Sequence, residues 1–330
     1  MEMASQKVLI VGTGLLGTSL FESFSALGVN TIFTTRGVSD ESRRYVESGR
    51  AFVCNSLSDY EQAISKFNPN WIINTIPQAP TDLLSLLLRT DRCTKIEFSS
   101  PASDFARVAP EKCPPGSYPG DKLATELLFN KRGVEHRDAL VIQIGFIPEV
   151  ASVDNKPVLS GLSFDTMVMC NLLTGFWEND INQLDKTVNG VPVLRSALNN
   201  YDKSKGFTCT PVDNIFRFVS DLVTSAIKIP NEAFGRTLAM HSSQVWPRSE
   251  IVIAIINEHY LNSLPEFYGQ KSEDKITKPV IEFKKFFPKY SVRSEDVLNA
   301  IQKTTLLFKN RPNRELMINA LLSTLMKQKK

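Results

Sequence analysis

Apolar positions along the first part of the chain fall into short runs separated by amphipathic segments. Lys7–Val11 is an apolar, β-branched run of strand length, and Leu15–Leu27 carries apolar residues at helical spacing up to Gly28, a residue suited to a helix C-terminus. The alternation continues with strand Thr31–Thr35, a short helix Ser42–Ser48, strand Ala51–Cys54, helix Asp59–Lys66 and strand Trp71–Thr75. Helix Asp82–Leu88, strand Lys95–Ser99, helix Lys122–Asn130 and strand Ala139–Gly145 complete it. Strands and helices joined in this order by short connections build βαβ units with right-handed crossovers. The pattern therefore predicts an α/β fold, a Rossmann-type doubly wound parallel sheet. After Pro148 the alternation loosens into a polar stretch, Asn179–Lys205, before an amphipathic helix, Val212–Ile227, and a strand, Thr237–His241. The organisation expected is a nucleotide-binding core over residues 1–149, to which 207–242 returns, and a smaller substrate lobe made by 150–206 and 243–330.

Composition narrows the partners. Apolar content of 42%, charged content of 22% and a net charge of +3 over 330 residues are ordinary for a globular protein and advertise neither nucleic acid nor a membrane surface. Cys54, Cys93, Cys113, Cys170 and Cys209 form no CxxC pair, and the histidines His136, His241 and His259 do not cluster with them. The expectation is a cytoplasmic chain with reduced thiols and no metal centre. No basic segment followed by an apolar stretch opens the chain, and no apolar run reaches the ~18 residues of a membrane span. The Lys327–Lys330 run reads as a solvated end.

The first candidate site is Gly12-Thr13-Gly14-Leu15-Leu16-Gly17, a GxGxxG sequence between a predicted strand and a predicted helix. In that position Gly12 permits a tight turn, Gly14 admits a pyrophosphate against the backbone, and Gly17 lets helix and strand pack closely. The N–H groups opening the helix then face the anion. The second strand ends Thr34-Thr35-Arg36, with no acidic residue to take a ribose 2′-hydroxyl and an arginine suited to a 2′-phosphate, which favours NADP(H). A solvated surface arginine is the alternative. Asn55 and Ser56 after the third strand are expected at the adenine, and Thr75, Ile76 and Pro77 after the fourth further along the cofactor.

A second candidate is Tyr118-Pro119-Gly120-Asp121-Lys122. The i,i+4 spacing puts Tyr118 and Lys122 on one helix face, where an ammonium favours the phenolate and makes the tyrosine a usable general acid/base. Lys122 is also placed to hydrogen-bond a nicotinamide ribose. Tyr201-Asp202-Lys203-Ser204-Lys205 has the same spacing but lies in the polar stretch outside the sheet alternation and is set aside. At the end of the fifth strand Ser100, or failing that Ser99, is the candidate to orient a substrate carbonyl; capping of local backbone is the competing role for both hydroxyls.

These residues carry a resemblance. The chain resembles the extended or atypical short-chain dehydrogenase/reductases, the NAD(P)-dependent epimerase/dehydratase superfamily, and most of all the branch of dTDP-4-dehydrorhamnose reductases. Besides the glycine motif, Asn68-Pro69-Asn70-Trp71-Ile72-Ile73-Asn74 resembles that branch's fourth-strand segment, and Pro115–Glu126 its Tyr/Lys helix. Thr210-Pro211-Val212-Asp213 and Gly235–His241 resemble its late helix and final strand. The similarity covers residues 6–147 and 207–258. It implies Tyr118 as general acid/base, Lys122 as its partner and ribose ligand, Ser100 as the substrate-orienting hydroxyl, and a homodimer as a possible assembly. The chain departs from the pattern in having Pro101 after Ser100, where the reductases carry Asp and the dehydratases Asp-Glu, and Gln143 where many relatives have arginine. The Pro101 departure argues against a 4,6-dehydratase.

Two functions follow as competitors. One is NADP(H)-dependent reduction or oxidation of a sugar-nucleotide-like or other small polar substrate, with a nucleotide-sugar epimerase as its nearest variant. The other is an NADP-binding regulatory protein without turnover. The presence of both Tyr118 and Lys122 favours the first.

Overall fold

In a computed structural model the described residues are 6–38, 40–148, 206–242, 245–247 and 278–309, with four two-residue strands between 152 and 192. Tyr201 and Lys205 lie outside them.

Strands β1 (Lys7–Val11), β2 (Asn30–Thr35), β3 (Ala51–Val53), β4 (Trp71–Asn74), β5 (Thr94–Ser99), β6 (Ala139–Ile144) and β7 (Thr237–Met240) form one sheet in the order β3-β2-β1-β4-β5-β6-β7. All neighbouring pairs are parallel. The chain turns from one half of the sheet to the other between β1 and β4. In open α/β sheets ligands bind at such a switch point, outside the C-terminal ends of the strands.

The connecting helices are α1 (Leu15–Ala26), α2 (Asp40–Glu47), α3 (Leu57–Phe67), α4 (Thr81–Arg89), α5 (Ala102–Val108) and α6 (Tyr118–His136). They are followed by α7 (Val212–Val223), α8 (Lys278–Phe286) and α9 (Ser294–Lys309). Leu9 and Val11 of β1 and Ile72 of β4 pack against Tyr60, Ala63, Ile64 and Phe67 of α3 and Leu83, Leu86 and Leu87 of α4. Further along the sheet, Phe129 of α6 joins Leu84, Ala139 and Val141. Phe21 and Phe24 of α1 are fully buried, with Phe21 edge-on to Phe33 at 4.7 Å and Phe24 edge-on to Phe216 of α7 at 5.6 Å. Helices on both faces leave the inner strands no wet side, which is why β1 reads as a continuous apolar run.

Four elements depart from the sequence pattern. Helix α6 runs over Tyr118–His136 rather than Lys122–Asn130, started by the N-cap Ser117 and ended by Arg137 at a left-handed φ of 55°. Helix α5, seven residues starting after Pro101, was not signalled by periodicity, being too short to complete an apolar stripe. Helix α7 ends at Val223 rather than at Ile227 because Ser225 takes a left-handed φ of 61°. Helix α8, expected in the C-terminal lobe, packs on β7 instead. Phe283 and Phe287 close on Phe218 of α7 at 5.4 and 4.9 Å, and the Tyr290 hydroxyl donates to Asp221 at 2.6 Å.

Contacts divide the chain into two units. The first holds residues 1–145, 212–241 and 277–291, and therefore the whole sheet. The second holds 146–211, 242–276 and 292–330. Within it Gly206–Phe207 pairs antiparallel with Trp246–Pro247, and Ser242 N–H donates to the Cys209 carbonyl at 2.8 Å.

Candidate functional site

The glycine-rich segment is the turn between β1 and α1. Gly12 has φ +110°, and a Cβ there would lie 2.9 Å from both Ile76 Cγ1 and Thr75 Oγ1. A Cβ on Gly17 would lie 2.2 Å from the Gly12 carbonyl oxygen. These two glycines are required by the protein's own packing. Gly14 differs: it caps α1 with ordinary negative φ, and a Cβ added to it meets nothing within 4 Å. No side chain caps this helix end and its first turn holds no acidic residue. The first intrahelical bond runs from Thr18 N–H to the Gly14 carbonyl at 2.9 Å, so the N–H groups of Leu15, Leu16 and Gly17 have no partner inside the helix. Open space over Gly14 and donors at a helix N-terminus fit a pyrophosphate.

Thr75, after β4, holds this turn from the side. Its N–H and hydroxyl both donate to the Val11 carbonyl, at 2.9 and 3.0 Å. Ile76 is half-buried beside Gly12, while Pro77 and Thr13 are exposed.

At the end of β2 the Thr35 hydroxyl donates to the Gly37 carbonyl at 2.9 Å, and Arg36 is exposed. Among the described residues no carboxylate pairs with Arg36. Asn55 and Ser56 follow β3, both exposed, but part of their hydrogen-bonding capacity is already committed. Ser56 is the N-cap of α3: its hydroxyl accepts from Asp59 N–H at 3.3 Å, and Asp59 Oδ2 accepts from Asn55 N–H at 2.9 Å and Ser56 N–H at 2.8 Å. The bonds from Ser56, then Asn55, hold the Asp59 carboxyl below its ordinary range. The buried Cys54 beside them has its thiol pushed up to about 12, chiefly by burial.

Tyr118 is the first residue of α6, after the N-cap Ser117, whose hydroxyl accepts from Gly120 N–H at 3.3 Å. Asp121 braces this end, accepting from Gly116 N–H at 2.8 Å and Gln78 Nε2 at 2.9 Å. Gly120 has its own reason to be glycine, since a Cβ there would lie 2.7 Å from the Pro114 carbonyl. Lys122, 3% exposed, sends its ammonium into the sheet. Nζ donates to the Phe98 carbonyl at 2.8 Å and to Glu97 Oε1 at 3.3 Å. Glu97 is fully buried and accepts from Asn74 Nδ2 at 2.6 Å, and Asn74 Oδ1 accepts from Ile76 N–H at 3.2 Å. Burial raises the Glu97 carboxyl above its ordinary range, against the opposing pull of Lys122 and Asn74.

The serines of β5 are engaged differently. Ser100 is half-buried and its hydroxyl accepts from Ala102 N–H at 3.3 Å, a local turn of the kind that competes with a substrate role. Ser99 is buried and donates to Glu126 Oε1. Glu126, itself fully buried on α6, also accepts from Ser103, Arg107 and, at 3.1 Å, Thr237. Gln143 Nε2 joins this group at 2.9 Å from Ser103 Oγ.

Glu97 and Glu126 had not been singled out from the sequence. The signal available was the alternation Lys95-Ile96-Glu97-Phe98-Ser99 in a strand with apolar neighbours on both sides of the sheet. In a sheet covered on both faces, such polar positions must be buried and therefore paired.

Neither a protein-family model nor a curated protein sequence matches the chain. Solved structures do match in fold. Yeast methylglyoxal/isovaleraldehyde reductase Gre2, complexed with NADPH, superposes with a TM-score of 0.59 at 13% identity, covering 93% of this chain and 100% of that one. A nucleoside-diphosphate-sugar epimerase from Pseudomonas aeruginosa gives 0.55 at 11% identity over 93% and 98%. The thiolation-reductase di-domain of an archaeal non-ribosomal peptide synthetase gives 0.55 at 12% identity over 93% and 90%. The architecture is thus the Rossmann-type α/β fold shared by these reductases and this epimerase.

Proposed function

We propose that the chain binds NADP(H) across the C-terminal ends of β1, β2 and β4 and is an oxidoreductase acting on the carbonyl or hydroxyl of a small polar substrate. The observation that carries this reading is Gly14, a glycine the protein does not need for its own packing, at an uncapped helix N-terminus. The backbone N–H groups after Gly14 would hold the pyrophosphate and Arg36 the 2′-phosphate. When bound, the nicotinamide gives or takes a hydride. Tyr118 would exchange the proton with the substrate oxygen, and Lys122 would support it with the N–H that its two bonds to Phe98 and Glu97 leave over. Ser100 would orient the substrate oxygen by donating its hydroxyl hydrogen while still accepting from Ala102 N–H. A reductase complexed with NADPH and a nucleoside-diphosphate-sugar epimerase among the structural neighbours support the same class of chemistry.

The test is calorimetric titration with NADPH and NADH, followed by NADPH oxidation with a panel of small aldehydes, ketones and nucleoside-diphosphate sugars. Binding of NADPH with turnover that Tyr118→Phe abolishes is the expected result. A second reading, cofactor binding without turnover, is favoured by the burial of Lys122 against Glu97. NADPH binding with no oxidation on any member of the panel, in wild type as in Tyr118→Phe, would select it.

A further inference from the structure

The buried carboxylate of Glu97 has no place in the reading above, yet it sits between both halves of the site. One oxygen takes the ammonium of Lys122, at 3.3 Å, and the other takes the amide of Asn74, at 2.6 Å. Asn74 in turn accepts from the N–H of Ile76, the residue whose side chain walls Gly12. A polar chain therefore runs from the glycine-rich turn, through Asn74 and Glu97, to Lys122. Burying an ion pair is costly, and a well-packed apolar pair of similar volume often serves stability as well or better. A buried pair set between two candidate ligand-binding elements thus calls for a role beyond packing.

We propose that Glu97 is a positioning residue of the dinucleotide site, acting through Lys122. A lysine side chain is flexible and its ammonium has three N–H groups. Glu97 and the Phe98 carbonyl engage two of them, which fixes the direction of the third. The groups facing this pair are Asn74, which is neutral, and Glu126, which lies on α6 and is itself bound by Arg107. The inference rests on the dinucleotide-binding reading, with Lys122 as a ligand of the cofactor.

The test measures NADPH affinity of the full chain by titration in wild type, Glu97→Gln, Lys122→Met and the double variant. Each single variant is expected to weaken NADPH about ten-fold, the range of one lost charge-assisted hydrogen bond. The double variant is expected to match Lys122→Met, since Glu97 acts only through that residue, rather than reach the ~100-fold of independent effects. Melting temperatures taken alongside separate this from a merely structural role, which would lower stability while leaving the NADPH affinity of the folded Glu97→Gln chain unchanged. If Glu97→Gln does not fold, Glu97→Asp keeps the charge and shortens the reach, and weakened NADPH binding is again expected. Wild-type affinity in the folded variant, or additive losses in the double variant, overturns the role of Glu97 alone. A wild-type chain that binds no NADPH overturns the dinucleotide reading together with it.

Discussion

Gly17 lies so close beneath Gly12 that a Cβ on the former would sit 2.2 Å from the carbonyl oxygen of the latter. The contact is backbone against backbone, so no side chain can turn aside to relieve it. Gly17→Ala is expected to shift the start of α1 away from β1 and destabilise the fold by ~1–3 kcal/mol, the range of overpacking. Urea unfolding checks it. Gly14→Ala meets open space. It is expected to change stability by less than ~1 kcal/mol, the usual loss or gain at a compatible glycine, yet to abolish NADPH binding. Normal NADPH affinity in Gly14→Ala would remove the pyrophosphate from this turn.

In the proposed reading Arg36 sets the choice between cofactors by pairing with a 2′-phosphate. Arg36→Ala is expected to weaken NADPH by about 10–100-fold, the value of hydrogen bonds to a charged group, and to leave NADH nearly unchanged. Parallel titrations with the two dinucleotides measure it, and equal losses for both would assign Arg36 to the solvated surface.

Lys122→Met leaves Glu97 buried without its counter-ion, a change that costs ~3–5 kcal/mol when the partner charge persists. Because burial holds the Glu97 carboxyl above its ordinary range in the folded chain, the unfolded chain releases its proton first as pH rises. Stability is therefore greatest below the ordinary carboxylate range and falls as pH climbs through the raised value. Removing Lys122, which opposes the shift, deepens that fall. Denaturant unfolding at about pH 4 and pH 8 should show a larger gap in Lys122→Met than in wild type, the range spanning the ordinary carboxylate value and upwards. An equal gap in both proteins would show that Glu97 does not titrate across it.

Glu126 is an acceptor shared by Ser99, Ser103, Arg107 and Thr237, and so ties α5, α6, β5 and β7 together. Glu126→Leu takes the acceptor away from the buried Ser99 and Thr237 hydroxyls, while Arg107 keeps Asp104 and Ser103 keeps the Ser100 carbonyl, and is expected to cost ~1–3 kcal/mol. If thermal unfolding of the variant matches the wild type, the donors have found other acceptors and the network contributes little.

Much of this molecule is legible along the chain. The alternation of β-branched runs with apolar-periodic segments specified the parallel sheet, because side-chain periods of two and of about 3.6 residues are local properties. The glycine-rich turn was legible for the same reason: its residues are contiguous, and positive φ or a close backbone approach is a demand on one position. Tertiary structure decided what the contiguous motif cannot state. It separated Gly14, which nothing in the protein requires, from Gly12 and Gly17, which the packing does. It also gave Lys122 a partner from another strand. Tyr118 and Lys122 look like a self-contained pair in sequence, but the ammonium is bound by Glu97 and Phe98, more than twenty residues away. Such a pairing depends on which side chains the sheet buries together, and a buried charge accepts whichever partner the fold brings within reach.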